Sequence, residues 1–321
     1  MAHLHNPYRY EGPVSGEDFF GREADLDACQ EAIEDRACLS VVGGPCAGLT
    51  SLAYRLVTPA FRERCQAVCG PLMFALVECT QFEEPPQLLR HLIAHLAPES
   101  EFTALAEEDL SLAHLVAALD EAQPRHGVVV LDDFEYLGRQ DDFSPVLSFL
   151  RALVPHASLS VITTGHIELK NCCSASLIES PFTNIFAVRY LGALSQAETE
   201  ALVADRSRRA GLDLALHLPA IVSLSGTQPC FLQLACALYH DAVARDGQPD
   251  HDALADAFLE RARPALNRIW HSLSVEERDA LHALANLAPN DRIEDSLRER
   301  NRGMAGLWSS SAFWRYLQGL A

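Results

Sequence analysis

Apolar residues fall in two different rhythms along this chain, and the change between them comes near residue 191. Before it, short apolar runs alternate with stretches of helical spacing. The runs cover residues 38–42, 72–77, 128–131, 159–163 and 185–190. Helical spacing holds over 22–33, 50–57, 85–96, 110–122 and 145–154. Val128-Val129-Val130-Leu131 is apolar at every position, as a strand buried on both faces must be. Strands alternating with helices predict a three-layer α/β domain with a mostly parallel sheet. Residues 1–20 carry glycine, proline and aromatics without a clear period and read as an arm.

After residue 191 the strand signal stops. Ser195-Gln196-Ala197-Glu198 has the form of a capping box, in which the serine side chain takes an orphan N–H and the glutamate reciprocates. Helices are predicted over 195–208, 215–224, 229–245 and 251–270. From residue 274, helices over 275–287 and 293–300, then a short hairpin edge and a final helix over 307–317, suggest a small winged-helix module.

Composition narrows the function classes. At 49% hydrophobic, the 321 residues suit a globular protein with two or three domains. No apolar run reaches the roughly 18 residues a membrane helix needs, and residues 1–7 lack a secretion signal, so a cytoplasmic location is expected. The ten cysteines are dispersed. Cys38, Cys79, Cys230 and Cys236 sit among apolar neighbours and read as small buried hydrophobes. Cys65, Cys69 and the pair Cys172-Cys173 lack partners at zinc-ligand spacing. The net charge of −19 argues against general nucleic-acid binding, which needs a basic surface. Residues 271–321 carry seven acids against six arginines, net −1, and are not basic either.

The candidate chemistry begins at Gly43-Gly44-Pro45-Cys46-Ala47-Gly48-Leu49-Thr50-Ser51. A phosphate-binding loop has the form G-x-x-x-x-G-K-[ST] between a strand and a helix. Gly43, Gly48 and Thr50 stand where that form requires, with Gly44 and Ser51 completing the cradle, but Leu49 takes the place of the lysine. That lysine reaches the β- and γ-phosphates as a point charge. Lys170 is the only lysine of the chain, and Arg55 is the nearest following cation. The loop alone reads equally as a cradle for phosphate and as a plain glycine turn.

A second constellation lies at the end of the run 128–131, where Asp132-Asp133 follows. An acid at the C-terminal end of a parallel strand lies in the crevice where such sheets bind ligands. Asp132 suits Mg²⁺, together with the Thr50 hydroxyl, unless the pair is simply two solvated acids ending a strand. Asp133 stands where a general base would act on water, although aspartate is one methylene shorter than glutamate. Glu135, Thr163, Thr164 and His166 lie near the same edge, as catalytic neighbours or as ordinary strand-end polar groups. Arg22 could pair with phosphate or with an acid, and Phe19 and Phe20 could cover a base or staple the first helix. No G-x-S-x-G elbow and no H-E-x-x-H occurs. The basic run Arg206-Ser207-Arg208-Arg209 reads as a solvated helix end.

Taken together these residues resemble the prokaryotic AAA+-related STAND ATPases, in particular their archaeal-type, AAA-like domains. The likeness runs over residues 6–245, through Asn6-Pro7-Tyr8-Arg9-Tyr10, Gly12-Pro13-Val14 and Phe19-Phe20-Gly21-Arg22-Glu23. It continues through Leu131-Asp132-Asp133-Phe134-Glu135, Ser180-Pro181-Phe182-Thr183-Asn184-Ile185-Phe186 and Leu191-Gly192-Ala193-Leu194-Ser195. It closes at Gly226-Thr227-Gln228-Pro229 with Phe231-Leu232-Gln233. The resemblance implies a P-loop α/β domain over 1–191, a helical lid over 192–270 and a winged-helix tail over 271–321. It implies that Gly43, Gly48 and Thr50 surround phosphate, that Asp132 serves Mg²⁺ and that Pro229 faces the adenine of ATP or ADP. It further implies a nucleotide-controlled switch that works through protein partners, often assembles, and acts in signalling or defence. Two departures, Leu49 for lysine and Asp133 for the usual glutamate, bear on turnover. They imply a pseudo-ATPase; the alternatives are an ATPase completed by a partner's arginine and a DNA-binding regulator that uses the tail.

Overall fold

The structure is a computed structural model; it describes residues 5–122, 126–154, 159–175, 177, 182–273 and 278. As far as they are described, the residues form two compact units. One takes Glu23–Gly43 and Leu49–Tyr190; the other takes Met1–Arg22, Gly44–Gly48 and Leu191–Ala321.

The first unit is built on a five-stranded sheet in the order β2-β3-β4-β1-β5, with β1 at Cys38–Gly43, β2 at Leu72–Glu78, β3 at His126–Asp132, β4 at Leu159–Gly165 and β5 at Phe186–Leu191. The pairs β1–β4, β3–β4 and β2–β3 are parallel. Strands β1, β3 and β4 are buried at every position, which is why their sequences run apolar without alternation. Strand β5 has exposed Val188 and Tyr190, as suits an edge. The sheet is flanked by α1 (Glu23–Glu34), α2 (Leu49–Leu56), α3 (Pro59–Cys69), α4 (Pro85–Leu96), α5 (Leu112–Glu121), α6 (Glu135–Gly138), α7 (Ser144–Leu153) and α8 (Leu169–Cys172).

Each strand and helix expected for this unit is present to within a few residues. Helix α3 was not expected. Only Phe61 and Cys65 of it are buried, too few to give the segment a helical stripe. Its start was nevertheless marked by Thr58 before Pro59, a proline in the first turn.

The second unit is helical, with α9 at Gln196–Ala210, α10 at Leu218–Ser225, α11 at Pro229–Asp246 and α12 at His251–Ser272. Helix α11 is the centre of its core and is buried from Phe231 to His240. The capping box forms as expected: Glu198 N–H donates to Ser195 Oγ at 3.2 Å, and Ser195 N–H donates to Glu198 Oε2 at 2.9 Å. The described part of the arm has no regular element apart from a single turn at Gly16–Asp18, and its Tyr8 ring is buried in this core.

Two expectations need correction. Arg206 is not a solvated helix end: it is 2% exposed, donates to the Asp18 carbonyl at 2.8 Å and pairs with the Asp18 carboxylate at 3.3 Å. Arg208 and Arg209 are the exposed members of that run, and both pair with Asp205. Cys230 is half-buried rather than buried, whereas Cys38, Cys79 and Cys236 are buried as expected. The winged-helix module expected over 271–321 lies outside the described residues, apart from the end of α12 and Arg278.

His126 opens β3 inside the first unit. It is 4% exposed and hydrogen-bonds Ser160 Oγ at 3.0 Å. Burial, then the charge of Arg36, pushes its pKa down to about 4. An unfolded histidine titrates near 6.5, so between those values the unfolded chain binds the extra proton. Stability is therefore lost as the pH falls from about 6.5 towards 4, by an amount on the order of 2–3 kcal/mol. Urea midpoints measured across that window are expected to fall more steeply for the native chain than for His126→Gln, and parallel slopes would refute this.

Candidate functional site

The parallel register sets the end of the sheet level. Val42 pairs Gly165, Leu131 pairs Thr163, and Glu78 pairs Asp132. The C-terminal ends of β1 to β4 therefore lie along one edge. Buried parallel strands leave little room for polar side chains along their length, so the polar residues gather there.

Asp132 is 2% exposed at that edge. Its carboxylate accepts hydrogen bonds from the hydroxyls of Thr164 and Thr50. Burial raises its pKa above the ordinary value; the two hydroxyls oppose the rise, and the charges of Asp133 and Glu78 add to it. Among the described residues no arginine or lysine pairs with it. A buried carboxylate raised by its acidic neighbours and joined to a threonine hydroxyl suits a hard divalent cation, which relieves the repulsion and takes oxygen ligands. Thr50 and Asp132, named from the sequence, are thus brought together. Thr164 is occupied with Asp132, and the neighbouring Thr163 is buried with its hydroxyl unpartnered among the described residues.

The same crowding of acids reaches two other groups. Tyr54 donates to Glu78 Oε1 at 2.5 Å, and that bond, burial and the acids Glu78, Asp132 and Asp133 push its pKa up to about 12. The buried Cys79 thiol is held well above its ordinary value by burial and then by Asp132, Asp133 and Glu135.

Asp133 follows with φ +54°, a left-handed conformation in which asparagine, aspartate and histidine are the commoner residues after glycine. It is half-buried, and its carbonyl accepts the Tyr136 N–H at 3.0 Å. Glu135 accepts the His166 N–H on Oε1 at 3.0 Å. His166 Nδ1 lies 2.9 Å from the Gly43 carbonyl; since a carbonyl only accepts, Nδ1 carries the proton.

Leu49, at the lysine position, opens α2 and is 4% exposed. Leu52, Ala53 and Leu56 continue the buried face of that helix, and Ser51 is buried with them. The first turn of α2 presents an apolar side chain where the motif has a cation.

In the second unit, residues Gly44–Gly48 are held by that unit's helices and the arm. Gln228, fully buried just before Pro229, donates from Nε2 to the Pro45 carbonyl at 3.1 Å. Arg22, 7% exposed with φ +65°, donates from Nη2 to the carbonyls of Ala47 at 2.9 Å and Gly192 at 2.7 Å. Its own N–H donates to Glu198 Oε1 at 2.7 Å, and a Cβ on neighbouring Gly21 would meet that oxygen at 3.0 Å. In a trans peptide the N–H points opposite to the C=O. Fixing the Pro45 and Ala47 carbonyls therefore turns the amides of Cys46 and Gly48 the other way, as an anion cradle requires. Gly48 has φ +93°, which a side chain would strain. The Cys46 thiol hydrogen-bonds Cys230, a contact that pushes the Cys46 thiol up and the Cys230 thiol down.

The sequence offered Arg22 as a partner for phosphate or for an acid; its guanidinium donates to the carbonyls of Ala47 and Gly192. Phe20 packs against the core of the helical unit. The contacts of Arg22 with Glu198 and of Gln228 with Pro45 were missed. They span 176 and 183 residues, beyond any local spacing rule.

The family model described as nSTAND2, Novel STAND NTPase 2, matches residues 91–290. No curated protein matches the chain. Among solved structures, the Walker-type ATPase PABY2304 of Pyrococcus abyssi is similar at TM-score 0.67 and 18% identity, covering 97% of this chain and 99% of that one. The ORC2 protein of Aeropyrum pernix, solved as ADPNP–ADP complexes, is similar at TM-score 0.58 and 12% identity, covering 95% and 87%. The ORC1 protein of the same organism, solved in complex with DNA, is similar at TM-score 0.52 and 17% identity, covering 94% and 82%. At these identities the likeness is one of fold.

Thr164 gives a direct check on the buried carboxylate. Because its hydrogen bond favours charged Asp132, Thr164→Val is expected to cost about 1–3 kcal/mol at neutral pH. The cost should shrink as the pH falls through the raised pKa of Asp132, where the charge is gone. Denaturation of both proteins at neutral and acidic pH measures this, and a pH-independent difference would count against it.

Proposed function

The chain belongs to the Novel STAND NTPase 2 family, and we propose that within it this protein is a pseudo-ATPase, a nucleotide-binding module that regulates a protein partner and turns over ATP poorly or not at all. The observation that carries the reading is Leu49, a buried leucine in the first turn of α2 where the loop motif places its lysine. Asp133 in place of glutamate adds to it, since a carboxylate one methylene shorter reaches less far towards an attacking water.

Binding is assigned to what the motif retains. Amides of Gly44 to Thr50 and the N-terminal end of α2 receive the phosphates. Thr50 and Asp132 hold the ion that accompanies the nucleotide; Mg²⁺, when bound, neutralises phosphate charge. Pro229, at the start of α11, faces the adenine by resemblance, and the helices of Leu191–Ser272 act as the lid. Arg22, Glu198 and Gln228 keep the loop in its receptive shape from the lid side. A lid that holds the loop by its carbonyls gives a nucleotide a route to the helical unit without any chemistry on the phosphates. That supports a regulatory role in signalling or defence, with assembly as one outcome.

The DNA reading draws on ORC1 having been solved in complex with DNA. The net charge of −19 weighs against a general duplex footprint here. Salt-dependent retention on duplex DNA separates the two.

The lost lysine is worth about 1.5–3 kcal/mol as a charge-assisted contact, roughly tenfold to a hundredfold in affinity. Fluorescent ADP and ATP, titrated with Mg²⁺ into the native chain, are expected to bind weakly. Leu49→Lys should tighten ATP by about that factor, and Asp132→Ala should weaken the Mg²⁺-dependent part. Tight binding by the native chain that Leu49→Lys leaves unchanged would overturn the assignment.

A further inference from the structure

We propose that Asp133, Glu135 and His166 form a binding site for a first-row divalent transition-metal ion, separate from the Thr50–Asp132 pair. One ligand atom from each of the three lies within 4.8 Å of the others. All three belong to the sheet unit, on the segments that follow β3 and β4.

The histidine is prepared for the role. With its proton fixed on Nδ1 by the Gly43 carbonyl at 2.9 Å, Nε2 carries the free lone pair. A metal-binding histidine characteristically donates its other ring N–H to a backbone carbonyl or a carboxylate, which sets its tautomer and aim. Here that outer contact already exists.

The glutamate is prepared as well. Oε1 is held by the His166 N–H at 3.0 Å, which places the carboxylate beside the imidazole's own backbone. Oε2 is buried and, among the described residues, accepts no hydrogen bond. A buried carboxylate oxygen without a donor is costly unless a cation takes it. Gly165 makes room for that carboxylate, since a Cβ there would stand 2.3 Å from Oε2. Asp133 completes the set from a backbone held at φ +54°, a conformation that an aspartate adopts at a cost.

The electrostatics favour a cation. Asp133 and Glu135 both raise the Cys79 thiol, so their negative charge is felt inside the fold. A cavity of about 520 Å³ lined by Thr80, Asp133, Glu135, Tyr136, Arg139 and Gln140 gives access to the acids. His166 is exposed and Asp133 half-buried. Ligands about 2.1 Å from one ion stand about 3–3.5 Å apart, so small rotations of these two side chains close the set. One imidazole with two carboxylates is a mixed N/O set, which suits Mn²⁺, Fe²⁺ or Zn²⁺ better than the all-oxygen surroundings of Mg²⁺. Three protein ligands leave positions open to water. An ion bound here would fasten Asp133 and so tie the loop after β3 to the loop after β4.

The inference does not rest on the nucleotide reading, and its test omits nucleotide. The 321-residue chain stripped with chelator is titrated with Mn²⁺, which avoids the cysteines because manganese prefers oxygen and nitrogen ligands. Electron paramagnetic resonance counts the free ion, and its pulsed form detects an imidazole nitrogen on the bound one. The expected result is one Mn²⁺ per chain with nitrogen coupling. His166→Ala should remove the coupling and weaken binding at least about tenfold, Glu135→Gln should weaken it similarly, and His95→Ala should change neither. His166 is exposed, so its variant keeps the fold, which circular dichroism verifies. Absence of bound Mn²⁺, bound Mn²⁺ without nitrogen coupling, or equal binding by His166→Ala would each overturn the proposal.

Discussion

The constraint on which this protein depends is the register of its parallel strands. Parallel pairing of β4 with both β1 and β3 brings Gly43, Gly165 and Asp132 to one edge. The strands themselves are buried throughout, so acids and hydroxyls gather at their ends. A one-residue slip would bury Asp133 and withdraw Asp132 from the Thr164 and Thr50 hydroxyls. Everything proposed about nucleotide and metal follows from that edge.

Two charges decide what the edge can do, and they act in opposite directions. The negative side is in excess: Asp132, Asp133, Glu135 and Glu78 lie close enough to raise Asp132, Tyr54 and Cys79. The positive side is reduced by the exchange of lysine for Leu49. A nucleotide brings further negative charge, so on the proposed reading this edge receives phosphates only together with a cation. Losing one charge-assisted contact takes a micromolar site to roughly ten or a hundred micromolar. Hydrolysis is more sensitive than binding, because stabilisation absent from the transition state is lost from the rate itself.

Much of this was legible in the sequence. The strands were visible because burial on both faces leaves an unbroken apolar run, as in Val128-Val129-Val130-Leu131. The capping box at Ser195 and the acids after β3 were visible because both are local patterns. Helix α3 was hidden because it buries too little to show a stripe. Arg206 was misjudged because a run of arginines looks the same whether one of them turns inward; Asp18, its partner, is 188 residues away. The grip of Arg22 and Gln228 on the loop, and the proton on His166 Nδ1, depend on contacts that only the folded chain creates. Their residue types carried no sign of it.

If the fold keeps its cradle and has given up turnover, phosphate release is where the loss must be seen. The native chain and Asp132→Ala are compared at saturating ATP and Mg²⁺, without a partner. Indistinguishable rates, at the level of the buffer alone, are expected. Release on the order of one per second by the native chain, the range of a working enzyme, and its disappearance in Asp132→Ala, would contradict it.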